Sequence, residues 1–275
     1  MSSISFDQAS GYYDATRGYP PGVEERIADA IVAASGATAD TRFLELGIGT
    51  GRIALPLLTR GYDYAGIDLS ANMMEQLRSK VAAFAAAHPE HAPLRVDLRV
   101  GDSTQLPYAD ASFDVALTVH VLHLIPNWQA AIDEALRVLT PGGVYLNGSD
   151  DALTAGNYRE VQTMWFAILQ QLGYDTGSVG VAGFVTVNAA MLYLQERGLH
   201  PERLQTATWQ VNETPRQALR FITQRLWSRT WAIPDDIFTA SAQQLEQAVL
   251  TRFGTEIDTP ELREMQFSMT RVRKG

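Results

Sequence analysis

The first half of the chain predicts an α/β fold in which helices cover both faces of a parallel sheet. Five short strand-like runs alternate with segments whose apolar residues repeat at helical spacing. One run, Phe113–His120, is apolar almost throughout, as a central parallel strand buried on both faces is. Three glycines at alternate positions, Gly47, Gly49 and Gly51, follow the first run and mark a turn at the sheet's ligand edge.

Val23, Ile27 and Ile31 predict a helix before the first strand, Thr41–Leu46. Ile53, Leu57 and Leu58 form the next apolar face, with Pro56 inside it and expected to kink it. Tyr62–Asp68 is the second strand, and Met73, Met74, Leu77 and Val81 mark the helix after it. Leu94–Val100 alternates strictly, with Arg95, Asp97 and Arg99 on one face, as a half-exposed edge strand does. After Phe113–His120, Asn127 is placed to cap a helix carrying Ile132, Leu136 and Leu139. Gly143–Ser149 is the fifth strand, entered through the turn Pro141-Gly142-Gly143.

Beyond Ser149 the rhythm changes. Val161, Met164, Trp165, Ile168 and Leu172 form a helical stripe, and the glycine-rich stretch from Gly173 to Gly183 reads as a loop. A helix from about Asn188 ends at Gly198, with Pro201 just beyond. Arg203–Val211 alternates weakly as a strand. Thr214-Pro215-x-Gln217 is a helix start with a capping-box partner. A further helix covers about Pro234–Phe253, and Glu264–Arg273 alternates as a final strand. These changes suggest boundaries at 1–40 for an N-terminal lid and helix and 41–150 for the core. A cap insertion then covers 151–202, and 203–275 completes the sheet with additional cap helices.

Composition narrows the function. The chain has 275 residues, 22 basic and 31 acidic, for a net charge of −9. That balance argues against nucleic-acid partners and anionic membranes, which need clustered cations. There are no cysteines, which excludes disulfides, thiolate nucleophiles and Cys-ligated metal sites. Met1–Ser10 lacks the features of a signal peptide, and no apolar run reaches the roughly 20 residues of a membrane span. A cytoplasmic protein is expected. Charge is uneven: residues 1–200 hold 12 basic and 22 acidic residues, and residues 201–275 hold 10 and 9. Arg216, Arg220, Arg225 and Arg229 fall within one predicted helix, as a solvated face or a basic rim.

The segment from Phe43 to Gly51, FLELGIGTG, runs a strand into the glycine turn and then a helix. Glycines let the backbone approach a ligand, and the helix start offers free N–H groups. Asp68 ends the second strand, where a carboxylate accepts bonds from ribose hydroxyls. Glu45 would repel a pyrophosphate but suits a cationic amine. A dinucleotide fingerprint wants its third glycine where Arg52 stands, and Gly51 comes one position early.

Taken together, ELGIGTG, GIDLS, GDSTQLPYADASFDVALTVHVLHLI and LTPGG resemble the four motifs of the class I S-adenosylmethionine-dependent methyltransferases, in order and spacing over residues 43–145. The subgroup most resembled contains the ubiquinone and menaquinone biosynthesis methyltransferases. Tyr12-Tyr13-Asp14-x-x-Arg17 is similar to its lid segment. The resemblance implies a Rossmann-like, doubly wound seven-stranded sheet in the order 3-2-1-4-5-7-6, with strand 7 antiparallel and a helical cap. It implies S-adenosyl-L-methionine as cofactor. Glu45 and the loop Gly47, Ile48, Gly49 and Gly51 would hold the methionine part. Asp68 would bind the ribose, Leu69 would pack on the adenine with Met73 near it, and Asp102 and Ser103 would bind the adenine edge. Val119 and His120 would line the reactive end, under Tyr13 and Arg17. Each acidic residue also has a plain structural reading as a backbone cap or salt-bridge partner, and Asp114 reads as structural.

Methyl transfer from a sulfonium needs mainly alignment and desolvation. A base is needed only when the acceptor must lose a proton. His120 is the candidate, with His123 beside it. The two are three apart, but no third ligand completes a metal site. Ser149-Asp150-Asp151 follows the fifth strand, where its carboxylates either orient a substrate amine or hydroxyl or cap a helix, the reading preferred. Trp165, Phe166, Tyr174, Phe184, Tyr193, Trp227 and Trp231 supply aromatic bulk for a cap over an apolar pocket, which favours a small-molecule acceptor. The rival readings are a nicotinamide-dependent oxidoreductase and a non-catalytic cofactor-binding protein.

Overall fold

The computed structural model describes residues 5–91, 93–175 and 186–275. Part of the expected Gly173–Gly183 loop, and Phe184, lie outside these residues.

The strands are β1 (Arg42–Leu46), β2 (Asp63–Asp68), β3 (Val96–Val100), β4 (Phe113–Val119), β5 (Leu139–Ala152), β6 (Glu202–Glu213) and β7 (Glu261–Arg273). They form one sheet in the order β3-β2-β1-β4-β5-β7-β6. The first five strands are mutually parallel, with Leu44 opposite both Ala65 and Ala116. β7 runs antiparallel to β5, because Gly142 pairs with Lys274 while Leu153 pairs with Glu264. The expected order is therefore observed. β3 is the exposed edge, and β4 is buried along nearly its whole length, as its composition requires.

The helices are α1 (Tyr13–Arg17), α2 (Val23–Ser35), α3 (Ala54–Thr59), α4 (Ala71–Ala87), α5 (Trp128–Val138), α6 (Asn157–Gln171), α7 (Val187–Glu196), α8 (Pro215–Thr223) and α9 (Asp235–Phe253). Two expectations change. α3 is only six residues long and starts at Ala54. Pro56 thus sits in the first turn, where its missing N–H is tolerated, so the residue does not interrupt a helix interior. Asn127 stands at the start of α5, but its side chain makes no capping hydrogen bond. β5 also begins earlier than expected. Thr140–Gly143 bulges out between the pairings Phe113–Leu139 and Val115–Val144. Gly142 takes φ 77° there, a left-handed conformation that glycine adopts without penalty. The bulge is sealed by Gly142 and Lys274, whose amides donate to Lys274 and Gly143 carbonyls at 2.9 Å.

The chain divides into two compact units, Met1–Asp150 with Gly183–Ala207 and Phe267–Gly275, and Asp151–Ala182 with Thr208–Gln266. The break at 150 coincides with the expected boundary of the core, but 183–207 and 267–275 return to the first unit, because β6 and β7 each contribute residues to both units. In the first unit, Leu44, Leu46, Ile67 and Ala116 pack with Trp128, Ile132 and Ala135 of α5 and with Ala190 and Leu194 of α7. Tyr193 of α7 stacks edge-on against Trp128 and its hydroxyl donates to Asp133 at 2.8 Å. On β1, Phe43 stacks on Tyr64 of β2 at 5.6 Å. Asp114 accepts from the amide and guanidinium of Arg42 at 2.9 and 3.3 Å, the structural role expected of it.

The second unit has its own core of Val161, Trp165, Leu169, Ile222, Leu245 and Val249 from α6, α8 and α9. Phe166 and Trp227 pack against Trp165, whose indole N–H donates to Ser241 at 3.2 Å. Thr214 and Gln217 complete the expected capping box. α8 ends at Thr223, so Arg225 and Arg229 lie beyond it, and the expected four-arginine helix does not form. Arg216 pairs with Asp258 and Arg225 with Asp235, each at 2.6–2.7 Å. Among the described residues, no helix is long and apolar enough to cross a membrane.

Candidate active site

The first unit holds a cavity at the C-terminal ends of β1, β2 and β4, where ligands bind in open parallel sheets. It has about 630 Å³ of empty space, part of it open to solvent.

Its floor begins with the glycine turn. Gly47, Gly49 and Gly51 have φ of 74°, 56° and 78°. The turn is fastened to the end of β2, because the amides of Gly47 and Ile48 both donate to the Ile67 carbonyl at 2.8 and 3.1 Å. A Cβ on Gly47 would stand 2.3 Å from Val121 Cγ2, and one on Gly51 would stand 2.3 Å from Leu77 Cδ1. Gly47 and Gly49 line the cavity; Gly51 does not, because it serves the packing of the turn on α4. Ile48 is also outside the lining. It is buried, and its side chain fills the space that a Cβ on Gly66 would need.

Asp68 lies beside the turn and lines the cavity. Its Oδ2 accepts from the Gly49 amide at 2.9 Å and its Oδ1 from the Ser70 amide at 2.8 Å. Burial pushes its pKa up, and those two amides partly offset the rise. Ser70 caps α4 by accepting from the Met73 amide at 3.1 Å, which places Leu69 and Met73 on the cavity wall. Asp102 and Ser103, beyond β3, form the far wall. Thr104 occupies Asp102 Oδ1 with its amide and hydroxyl at 2.8 and 2.9 Å, leaving Oδ2 as the acceptor for a ligand.

The end of β4 closes another side. Val119 and His120 line the cavity as expected. His120 adopts φ 52°, an uncommon conformation for a residue with a side chain. Its Nε2 lies 2.9 Å from Asp150 Oδ2. Asp150 lies within β5 and its amide donates to His120 Nε2 at 3.1 Å, in place of the helix-capping role preferred for it. His123 is not among the lining residues.

Tyr13 lines the cavity, and Phe6 meets its ring edge-on at 5.9 Å. Phe6, Val121, Leu124 and Ile125 are lining residues that the sequence reading missed. Val121, Leu124 and Ile125 are apolar residues within an apolar motif, so nothing in their identity separates cavity wall from core. Only the position of Val121–Ile125, directly after a strand end at the ligand edge, could have signalled them.

Two further expectations differ in placement. Arg17 is not among the lining residues; its carbonyl accepts from Arg52 at 2.6 Å. Glu45 is also absent from the lining and only 2% exposed. It sits on the same face of β1 as Phe43 and accepts from the Tyr64 hydroxyl at 2.8 Å. Burial pushes its pKa up to about 8, against the opposing effects of Tyr64 and Arg52. Strand alternation thus turns Glu45 away from the cavity and toward Tyr64.

Comparison with known proteins agrees with this geometry. Residues 44–147 match the family model described as a methyltransferase domain. A 27-O-demethylrifamycin SV methyltransferase of Amycolatopsis mediterranei is 28% identical over 70% of this chain and 66% of its own length. A demethylmenaquinone methyltransferase of Renibacterium salmoninarum is 30% identical over 58% of this chain and 62% of its own. The chain thus spans just under two thirds of these relatives. The cyclase SpnF shares the fold over all of this chain and 97% of its own, with a TM-score of 0.56 and 18% identity.

Proposed function

We propose that this chain transfers the methyl group of S-adenosyl-L-methionine to a small-molecule acceptor, a reading supported by the match of residues 44–147 to a methyltransferase-domain model and by the similarity to methyltransferases. The observation that carries the reading is the convergence of Gly47, Gly49, Asp68, Asp102 and His120 on one cavity at the sheet's ligand edge.

The donors and acceptors present fit such a cofactor. Asp68, with a lone pair left on each oxygen, would accept from the ribose hydroxyls. Leu69 and Met73 would give the adenine an apolar wall, and Asp102 Oδ2 would accept from its amino group. Gly47 and Gly49 would let the methionine part lie against the backbone. Tyr13 and Phe6 cover the cavity, and Arg17 holds the covering segment through its carbonyl.

When bound, the cofactor supplies an activated methyl group. The chain's own task is to exclude water, align the acceptor for in-line displacement, and take a proton where the acceptor must lose one. Val119 and Val121 narrow the reactive end, and His120 stands there as the base. The acceptor enters on the side of Leu124 and Ile125, which favours an apolar small molecule over nucleic acid or a membrane surface.

Calorimetric titration with S-adenosylmethionine and with S-adenosylhomocysteine tests the reading. Micromolar binding that Asp68→Ala weakens at least tenfold is expected. Folded protein that binds neither compound overturns it. Binding without release of S-adenosylhomocysteine to any acceptor would instead support a binding protein without transfer.

A further inference from the structure

We propose that Asn147 and Ser149 of β5 form the acceptor subsite, and that they bind a neutral hydrogen-bond-accepting oxygen, the carbonyl of a ketone, ester or amide. This rests on the methyl-transfer reading above and adds to it the chemical class of the acceptor and the residues that select it.

The first observation is a row of polar side chains on a face that is otherwise apolar. Tyr145, Asn147 and Ser149 alternate along β5 and so share one face of the sheet. Gly148 belongs to the other face, where a Cβ on it would stand 2.5 Å from Phe267 Cζ. Thr118 stands opposite Asn147 on β4. On β7, the pairings of Gly143 with Lys274 and of Leu153 with Glu264 share one register, which places Thr270 opposite Asn147 as well. Thr118 and Thr270 are fully buried. Around the row, Ala116, Tyr145 and Val272 pack with Ile132 and Ala135 of α5.

The second observation is where the hydrogen bonds of the row end. Thr118 Oγ1 donates to Asn147 Oδ1 at 3.1 Å. That uses its one hydrogen, so the Tyr145 hydroxyl is the donor in the 2.6 Å contact between Tyr145 and Thr118. The relay thus runs from Tyr145 through Thr118 to Asn147. It holds Oδ1 of the carboxamide against Thr118 and leaves the Nδ2 hydrogens without a partner among the described residues. The hydroxyls of Ser149 and Thr270 are buried, and neither has a hydrogen-bond partner among the described residues. Buried polar groups are nearly always paired, and these unpaired ones stand side by side. A ligand oxygen placed among them answers for all of them at once.

The third observation is the position of the row. Val119 and His120, which line the cavity, follow Thr118 directly, and the His120 amide donates to the Gly148 carbonyl at 3.2 Å, level with Asn147 and Ser149. Ile125 belongs both to the cavity wall and to the apolar cluster that holds Tyr145 and Val272. It joins the reactive end of the cavity to the face that carries the row. Asn147 and Ser149 are half-buried, so an acceptor lying against Leu124 and Ile125 reaches them first, with Thr270 behind.

The chemistry of the row sets the class of ligand. Its free groups are amide N–H and hydroxyl, which donate to an oxygen and carry no charge. The cation on this face, Arg203, stands on β6 and donates to Ser268 of β7 at 2.5 Å. A carboxylate or phosphate at Asn147 would therefore give up its hydration without an adjoining cation in return, whereas a carbonyl loses little. An analogue lacking the oxygen leaves Asn147 and Ser149 unpaired, which is how a buried polar site rejects it.

Side-chain ¹H–¹⁵N spectroscopy tests the assignment with cyclopentanone, cyclopentane and acetate as probes. Asn147→Leu identifies the Asn147 amide signal by its loss. In protein saturated with S-adenosylhomocysteine, cyclopentanone should shift that signal saturably, and Ser149→Ala should weaken its binding about fivefold. Cyclopentane and acetate should leave the signal in place. Absence of a saturable shift with cyclopentanone overturns the proposal, because water alone then serves the row. An equal shift with cyclopentane or with acetate overturns it too, as does cyclopentanone binding that folded Ser149→Ala leaves unchanged. Protein that binds no S-adenosylhomocysteine counts against the methyl-transfer reading, and the same titration in free protein then judges the row by itself.

Discussion

Asp68 Oδ2 accepts the amide of Gly49 at 2.9 Å, so the carboxylate offered to a ligand also holds the turn that the ligand lies on. Its other oxygen accepts from Ser70, the cap of α4. Asp68→Ala removes both bonds and leaves two amides to find other partners. Hydrogen bonds to charged groups contribute about 1.5–3 kcal/mol each, and 1.4 kcal/mol is about tenfold in affinity. We expect Asp68→Ala to weaken S-adenosylhomocysteine binding at least tenfold and to lower the melting temperature. Asp68→Asn keeps one carbonyl acceptor and should fall between the two. Calorimetry and thermal melts on the three proteins check this. Normal binding by Asp68→Ala would show the site to be misplaced.

Glu45 makes stability depend on pH. Its folded-state pKa is raised to about 8 from an ordinary 4.5, chiefly by burial. The folded state therefore keeps a proton that the unfolded chain gives up. Stability from this group is fully present below about 4.5 and is lost as pH rises toward about 8. Glu45→Gln keeps an acceptor for Tyr64 and cannot ionise. The wild type should thus lose stability relative to Glu45→Gln between pH 5 and 8, by an amount on the order of a few kcal/mol. Urea midpoints at both pH values measure the difference. A difference that does not change with pH would contradict the assignment.

The turn was legible because its signal is local. Glycines at 47, 49 and 51 are needed for left-handed φ, and that need shows in the sequence itself. Sheet order and most of the wall, including Asp68, Asp102 and His120, followed from the motifs. Other features depend on which way a side chain faces. Glu45 and Ile48 stand in the glycine motif but turn away from the cavity, whereas Leu124 and Ile125, at the apolar end of another motif, turn in. Asp150 looked like a cap because its partners, His120 and Tyr19, lie 30 and 131 residues away. The division into two units was hidden for a similar reason, since β6 and β7 pass through both.

Gly47 separates two costs that the other glycines combine. Its φ of 74° is unfavourable for alanine, and a Cβ would stand 2.3 Å from Val121 Cγ2. Gly47→Ala should cost about 2–4 kcal/mol, from strain and overpacking together. Adding Val121→Ala removes the methyl at 2.3 Å but leaves Val121 Cβ at 2.8 Å and the strain. The double variant should therefore be more stable than the sum of the single changes implies. Denaturation midpoints of the four proteins close the cycle. Strict additivity would mean that Val121 does not oppose a side chain at position 47.

The segment over the cavity is held by Asp7 and Asp14, besides the Arg17 carbonyl and the Tyr19 hydroxyl. Asp7 accepts from the Ser70 hydroxyl at 2.5 Å and the Asn72 amide at 3.3 Å. Asp14 accepts from the Thr50 hydroxyl at 2.6 Å and pairs with Lys80 at 2.7 Å. Phe6 and Tyr13, close to these two anchors, line the cavity. None of these anchors belongs to the sheet's own hydrogen-bond ladder, so the segment can open without unfolding the sheet. A ligand in the cavity would add contacts to both aromatic rings and shift the balance toward closure. Hydrogen exchange of residues 5–19 should therefore slow at least tenfold when S-adenosylhomocysteine is saturating, while the amides of β4 change little. Asp7→Ala combined with Asp14→Ala should speed exchange in the free protein and weaken binding, because more of the ligand's contact energy then goes into ordering the segment. Exchange over residues 5–19 that is indifferent to the ligand would mean that Phe6 and Tyr13 border the cavity without closing it.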